Sequence, residues 1–475
     1  MLKNIKKYKK KIYNTKFIII TILLFFITFF TLGILSIDSN NKFLNSLNSI
    51  VPHDIKHYIK FKIYGNKILS RELEGIKKES KELKNILLSN KSNTGYLQGK
   101  ETLISQKDKK KYSLKKFYLS SLNYSNNGHK PIGYLGQFND KIIYFSGIGE
   151  SSYFNLNDLK VKKVNLITIP NNLKEIIFDP RFYKNFTMSI KDILVLEDDL
   201  YASYTKLIKK GCHNTSILKA KINLKELKFK EFFSYDECID KSLTTEYNAH
   251  QSGGRLVKYK DNILFSIGEY RQRFLAQKKD SFFGKIISIN SKDKKFNMVS
   301  MGHRNPQGLM YIKKNNTILS TEHGPKGGDE VNKIELGKNY GWPIASYGRH
   351  ADDKFREDSP LLKSHKKNGF VEPLKYFVPS IGISQIIEVP SRFGDDYNVF
   401  VTSMGKNLKF NKDKEPVGRT IYQLKFNSNY SKIEKEDSLI IYERMRDIMY
   451  ISQLNGFLMV LENSPALGFL TLESQ

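Results

Sequence analysis

From about residue 112 onward the chain repeats one local pattern, a short apolar run closed by a polar turn, and this restricts the fold more than any other feature. Lys141-Ile-Ile-Tyr-Phe145, Asp192-Ile-Leu-Val-Leu196, Asn262-Ile-Leu-Phe-Ser266, Lys285-Ile-Ile-Ser-Ile289, Thr317-Ile-Leu-Ser320, Asn398-Val-Phe-Val-Thr402 and Gly456-Phe-Leu-Met-Val-Leu461 are all of this kind. Each run is too short for a helix, rich in branched or aromatic side chains and bounded by Asn, Asp, Gly or Lys, so each reads as a strand. Many short strands with turn-rich punctuation predict an all-β domain, a sandwich or a propeller. About 365 residues exceed one sandwich and suit blades of about 60 residues, although no clean fixed period is visible.

The N-terminus is of another kind. Residues 1–16 carry seven Lys and no acid, and Phe17–Ile37 follow without a charge. That apolar run is long enough to cross roughly 30 Å of hydrocarbon. Lysines on its N-terminal side predict a cytoplasmic basic segment, a single-pass inner-membrane anchor over 17–37 and an exported remainder. A cleaved signal peptide is the alternative, but the run exceeds the usual apolar length of about 7–15 residues and no small-x-small site follows Gly33. Residues 38–110 read as a juxtamembrane linker. Within it Leu73, Ile76, Leu83, Ile86 and Leu87 fall at helical spacing and predict one amphipathic helix. The β domain is expected over 111–475.

The formal net charge is +30. Such a balance can serve nucleic acid or anionic lipid, yet the lysines are dispersed rather than striped and no nucleic-acid motif accompanies them, so nucleic acid is not an expected partner. Cys212 and Cys238 are the only cysteines. An exported domain favours a disulfide over a zinc site for such a pair, but spacing does not tell whether their Cα atoms lie close enough.

Chemistry concentrates between His250 and Pro343. Glu322-His-Gly-Pro-Lys-Gly-Gly-Asp-Glu330 offers the carboxylates and backbone carbonyls that a hard cation takes, without the EF-hand spacing. An ordinary turn with solvated charges would look the same. His250, ahead of Gly253-Gly254, is placed as a general base or as a plain surface histidine. Arg304, Asn305 and Gln307 put a guanidinium and two amides near one turn, which suits an anionic or multi-carbonyl planar ligand, or a network tying loops together.

Taken in order, His250-Gln-Ser-Gly-Gly-Arg255, Gly302-His-Arg-Asn-Pro-Gln-Gly308, Glu322-His-Gly-Pro325, Gly327-Gly-Asp-Glu330 and Asn339-Tyr-Gly-Trp-Pro343 resemble the soluble glucose dehydrogenase / aldose sugar dehydrogenase family, which uses pyrroloquinoline quinone (PQQ). The strong likeness covers about 245–348 and a weaker one runs to about 465. The resemblance implies a six-bladed β-propeller that oxidises the anomeric hydroxyl of an aldose to a lactone, with PQQ and Ca²⁺ as cofactors and a further electron acceptor; the basic N-terminal flank of the apolar run places that domain on the periplasmic side. It implies that His250 is the base and that Arg304 stabilises charge on the quinone, with Asn305 and Gln307 beside it. Carbonyls of Gly324 and Pro325 would hold Ca²⁺. Arg444 and Arg446, in Arg-Met-Arg-Asp447, would meet the cofactor carboxylates, with Ser380 and Lys406 as further cofactor contacts. The chain departs from the pattern at Ala249, in the partly matching Gly268–Arg273 loop, and in a Lys/Asn-rich insertion near 407–416. Two other readings are a non-catalytic, calcium-containing propeller that binds glycans or a protein, and a lactonase-type hydrolase, which lacks an obvious central carboxylate cluster.

Overall fold

Turn chemistry sets the hairpins. Asn139-Asp140 separates Gly133–Phe138 from Lys141–Ser146, with Asn139 at φ 54°, and Lys260-Asp261 separates Gly253–Tyr259 from Asn262–Ile267, with Lys260 at φ 54°. Left-handed turn residues match the right-handed twist of paired strands, so each apolar run folds back on its neighbour. In the computed structural model, which describes residues 94–119, 132–183, 187–241, 246–405 and 418–473, these hairpins build six antiparallel-type sheets.

The sheets are the blades of a propeller. Their innermost strands are Gly133–Phe138 (blade 1), Ile190–Leu196 (blade 2), Gly253–Tyr259 (blade 3), Pro306–Ile312 (blade 4), Ile383–Glu388 (blade 5) and Met445–Ile451 (blade 6). Consecutive innermost strands touch all the way round, and blade 6 touches blade 1, which closes the ring. Blade 6 is completed from the other end of the described chain: Lys111–Leu119 pairs with Ala466–Leu472, and Thr94–Ile104 pairs in turn with Lys111–Leu119. Among the described residues the β domain already includes Thr94–Ile104, ahead of the expected residue 111, because the outer strands of blade 6 join its first and last segments. The expected membrane anchor (Phe17–Ile37) and the amphipathic helix near 70–90 lie outside the described residues. Among the described residues no helix is long and apolar enough to cross a membrane.

The cores lie between blades. Leu319 and Val331 of blade 4 pack with Ile383, Val401 and Leu424 of blade 5, all buried. Middle strands such as Thr317–Glu322 and Gly456–Leu461 are buried along their whole length. This explains why Gly456–Leu461 reads as a continuous apolar run rather than strict alternation, and each buried aliphatic side chain contributes about 1.5–3 kcal/mol. In blade 2, Cys212 and Cys238 form a disulfide with Cα atoms 5.4 Å apart, which settles the pairing that spacing left open.

Candidate active site at the propeller axis

Five of the six innermost strands start with a β-bulge, at Lys191, Gly254–Arg255, Gln307, Ser384–Gln385 and Arg446. A bulge re-aims a side chain and bends the strand, so these strands bring polar residues to the axis out of otherwise apolar sequence. Directly after two of these bulges stand Asp192 and Asp447. Each accepts the N–H of the next blade's innermost strand, from Leu256 at 2.8 Å and Leu135 at 2.9 Å, and each meets Arg255 Nη1, at 2.8 and 2.9 Å. One buried guanidinium thus holds blades 2, 3 and 6 together.

Arg304 stands at the centre of the next cluster. Its Nη1 donates to the His323 carbonyl at 3.0 Å, its backbone N–H donates to Glu322 at 3.3 Å, and its guanidinium lies 5.1 Å from the Trp342 ring centre. Gln251, oriented by its neighbours, donates to Glu269 at 2.5 Å and accepts from Arg271 and Arg304 at 3.0 Å each. Arg304 Nε, Trp342 Nε1 and one Glu269 oxygen are buried with no hydrogen-bond partner among the described residues. Burial pushes the Glu269 carboxyl up to about 7 despite the nearby charges of Arg304 and Arg273. Glu322 also holds His303 at 3.0 Å, and that ring stacks on Tyr340 with centres 4.8 Å apart.

The Gly324 loop is fixed by Asp329. One Asp329 oxygen accepts from the Gly324 N–H and the Ser380 hydroxyl, both at 3.0 Å, and the other accepts from the Ile383 N–H at 3.0 Å. Burial raises this carboxyl, but the His323, Ile383 and Ser380 interactions outweigh it and hold it below the usual value. A Cβ at Gly324 would come within 2.2 Å of the Gly328 carbonyl oxygen, so only glycine permits this backbone contact. Arg304, Glu322, His323, Gly324, Glu330, Trp342 and His365 line one small cleft. Burial and the charge of Glu322 hold the Glu330 carboxyl well above the usual range. Among the described residues no group of three or more His, Cys, Asp or Glu is placed to hold a metal, so a cation at this loop would rest on main-chain oxygens, the donor type expected of Gly324 and Pro325.

The other expected site residues divide. His250 is exposed on the one-turn helix Ala249–Gln251, with its N–H capped by Asn248 at 2.8 Å, and the following Gln251 links that turn to Arg304. Asn305 accepts from the Gly253 N–H at 3.1 Å and from Gln307 at 3.0 Å, so both amides also tie the His250 loop to blade 4. Arg444 and Arg446 share Glu462, at 2.9 and 2.5 Å. Ser380 sits on the Gly324 loop through Asp329. Lys406 lies outside the described residues. Sequence reasoning missed Glu269, Glu462 and Lys191. Glu269 was findable as an acid just beyond an apolar strand, but Glu462 and Lys191 gain their surroundings only from other blades.

A six-bladed propeller carrying an arginine, histidine and carboxylate cluster at the inner ends of its blades defines the class. The glucose/sorbosone dehydrogenase family profile matches residues 173–468, and the chain belongs to that family; the match begins well before the strong likeness at 245. The aldose sugar dehydrogenase YliI of Escherichia coli (strain K12) is 35% identical over 147 residues, 28% of this chain and 38% of that protein. The uncharacterized protein slr1608 of Synechocystis sp. is 31% identical over 254 residues, 46% of this chain and 58% of that one. The chain thus spans at most 58% of the length of these relatives. Among solved structures, a glucose dehydrogenase superposes with TM-score 0.58 at 20% identity, covering 73% of this chain and 96% of that one. The apo form of the soluble aldose sugar dehydrogenase from Escherichia coli gives 0.56 at 19%, covering 79% and 99%. These likenesses establish the propeller fold.

Proposed function

We propose that this chain is a PQQ- and Ca²⁺-dependent dehydrogenase that oxidises the anomeric hydroxyl of an aldose to the lactone. The observation that carries this reading is the Arg304 environment. A buried guanidinium lies against Trp342, its Nε without a partner among the described residues, beside a loop whose main-chain oxygens suit a hard cation. Buried donors left unsatisfied are costly, and a planar ligand rich in carbonyl and carboxylate oxygens satisfies them. The residues present therefore fit PQQ. When bound, PQQ would supply the two-electron oxidation, and the carbonyls of Gly324 and Pro325 would hold the Ca²⁺ that supplies Lewis-acid chemistry there.

The protein's part is positioning and charge. His250 takes the proton of the anomeric hydroxyl as hydride leaves the same carbon. Arg304 would stabilise negative charge on the bound cofactor, with Asn305 and Gln307 beside it. Arg444 and Arg446 hold cofactor carboxylates, and the Glu462 they share keeps both guanidiniums oriented. Ser380 and Lys406 would complete the cofactor set, and the reaction would need a further electron acceptor. We place this domain in the periplasm, held to the inner membrane by Phe17–Ile37 with the N-terminus in the cytoplasm. The Cys212–Cys238 disulfide supports an oxidising compartment.

The test is reconstitution of the full chain with PQQ and Ca²⁺, followed by dye reduction across a panel of aldoses. His250→Gln is expected to keep PQQ binding and lose about 10²–10⁴-fold in turnover. Wild-type turnover in His250→Gln refutes the mechanism. Absence of PQQ binding by the wild type leaves a propeller that binds glycans or a protein partner.

A further inference from the structure

Several cations lie at the axis or in the clusters beside it among the described residues, and the arginines have acids paired with them or close by. Arg255 has Asp192 and Asp447, Arg304 has Glu269 and Glu322 nearby, and Arg446 shares Glu462 with Arg444. Lys191 differs. Its Nζ donates only to main-chain oxygens, of Thr187 at 2.7 Å and of Ala249 at 3.2 Å, and no carboxylate is within ion-pair range among the described residues.

Lys191 also holds a telling position. It is the bulged residue at the start of blade 2, the place taken in blade 4 by Gln307 and in blade 6 by Arg446. In blade 3 the bulge begins with Gly254 at φ +112°, where a Cβ would come within 2.2 Å of the Lys191 Cβ, so glycine there makes room for the lysine stem. The ammonium therefore lies against the residue that precedes His250, and it faces the field of Arg446.

We propose that Lys191 is a carboxylate-binding residue of this site, which takes an acidic group of the ligand bound between blades 2 and 6 and so adds a specificity determinant beside His250. This rests on the quinoprotein reading. Two sources share the chemistry: a carboxylate of PQQ, or the carboxylate of a sugar acid offered as substrate. Burial, with the charge of Arg446 adding to it, pulls the Lys191 ammonium down to about 7, and an anion within hydrogen-bond range reverses that pull.

The experiment is isothermal titration of the full chain, as wild type, Lys191→Gln and Lys191→Arg, with PQQ, with glucuronate and with glucose. Both variants keep the Cβ–Cγ stem that packs at Gly254. Lys191→Gln is expected to weaken one carboxylate ligand about 10-fold or more, the loss of a charge-assisted hydrogen bond, with Lys191→Arg restoring most of it and glucose unaffected. A loss confined to PQQ assigns the cofactor, and a loss confined to glucuronate assigns the sugar acid. In the wild type, mass-spectrometric lysine footprinting should find Lys191 protected by the same ligand, a readout independent of how the variants fold. Unchanged affinities, or an unprotected Lys191, overturn the proposal. Wild type that binds glucuronate through Lys191 but not PQQ refutes the quinoprotein reading and leaves this assignment standing. Wild type that binds PQQ with an indifferent Lys191 does the reverse.

Discussion

Arg255 of blade 3 reaches Asp447 of blade 6, on the opposite side of the ring, at 2.9 Å. With Asp192 at 2.8 Å on the same nitrogen, this contact spans the axis and locks three blades whose sequences lie far apart. Removing the cation strands two buried acids. Arg255→Met is expected to cost about 3–5 kcal/mol, read by urea denaturation. A loss below about 1 kcal/mol would mean that water replaces the guanidinium at the axis.

Glu269 gives the fold a pH dependence. Its carboxyl is raised from 4.5 to about 7, chiefly by burial. The folded state therefore holds this proton more tightly than the unfolded chain. The contribution to stability is fully present below about 4.5 and is lost as pH rises through about 7. Glu269→Gln cannot titrate, so the melting temperature of the wild type should fall relative to the variant across that window. Parallel curves from pH 4 to 8 would show that Glu269 does not carry the effect.

Gly324 tests the loop that would hold the cation. Gly324→Ala forces a Cβ against the Gly328 carbonyl at 2.2 Å, so the loop must move while the blades remain. Calcium affinity should fall about 10-fold or more, the scale seen when a ligand's support is disturbed, with a nearly unchanged melting temperature without calcium. Calcium binding equal to wild type would place the metal elsewhere.

The disulfide closes a loop of 26 residues within blade 2. Replacing Cys212 and Cys238 by Ser is expected to remove about 3 kcal/mol in the chain-entropy account. Denaturation with and without reductant measures it. The double variant should lose all sensitivity to reductant, and a wild type equally insensitive would argue against a bond in solution.

Topology has its own test. With Phe17–Ile37 as an anchor, the protein stays in the membrane fraction after high-salt washing, and the propeller is digested by protease added to the periplasmic side. A soluble form starting near residue 38 would reveal cleavage instead. Digestion only from the cytoplasmic side would overturn the assigned orientation.

Much of the architecture was legible before any coordinates. Runs such as Asn262–Ser266 and Thr317–Ser320 are short, apolar and bounded by turn residues, and those properties are local to the chain. The loops that carry Gly324, Arg304 and His250 stand out in the sequence too, because glycine, histidine and arginine cluster there, and the structure ties the three loops together through Gln251 and the His323 carbonyl. Length and period left sandwich and propeller open, and only the contacts around the ring decide that. The joining of Thr94–Ile104 and Lys111–Leu119 to the last strands is a contact between opposite ends of the described chain, which no local window contains. The same holds for Lys191, Glu462 and the Arg255 bridge. Their chemistry depends on which charges lie nearby and how little water remains, and both are set when the blades meet at the axis.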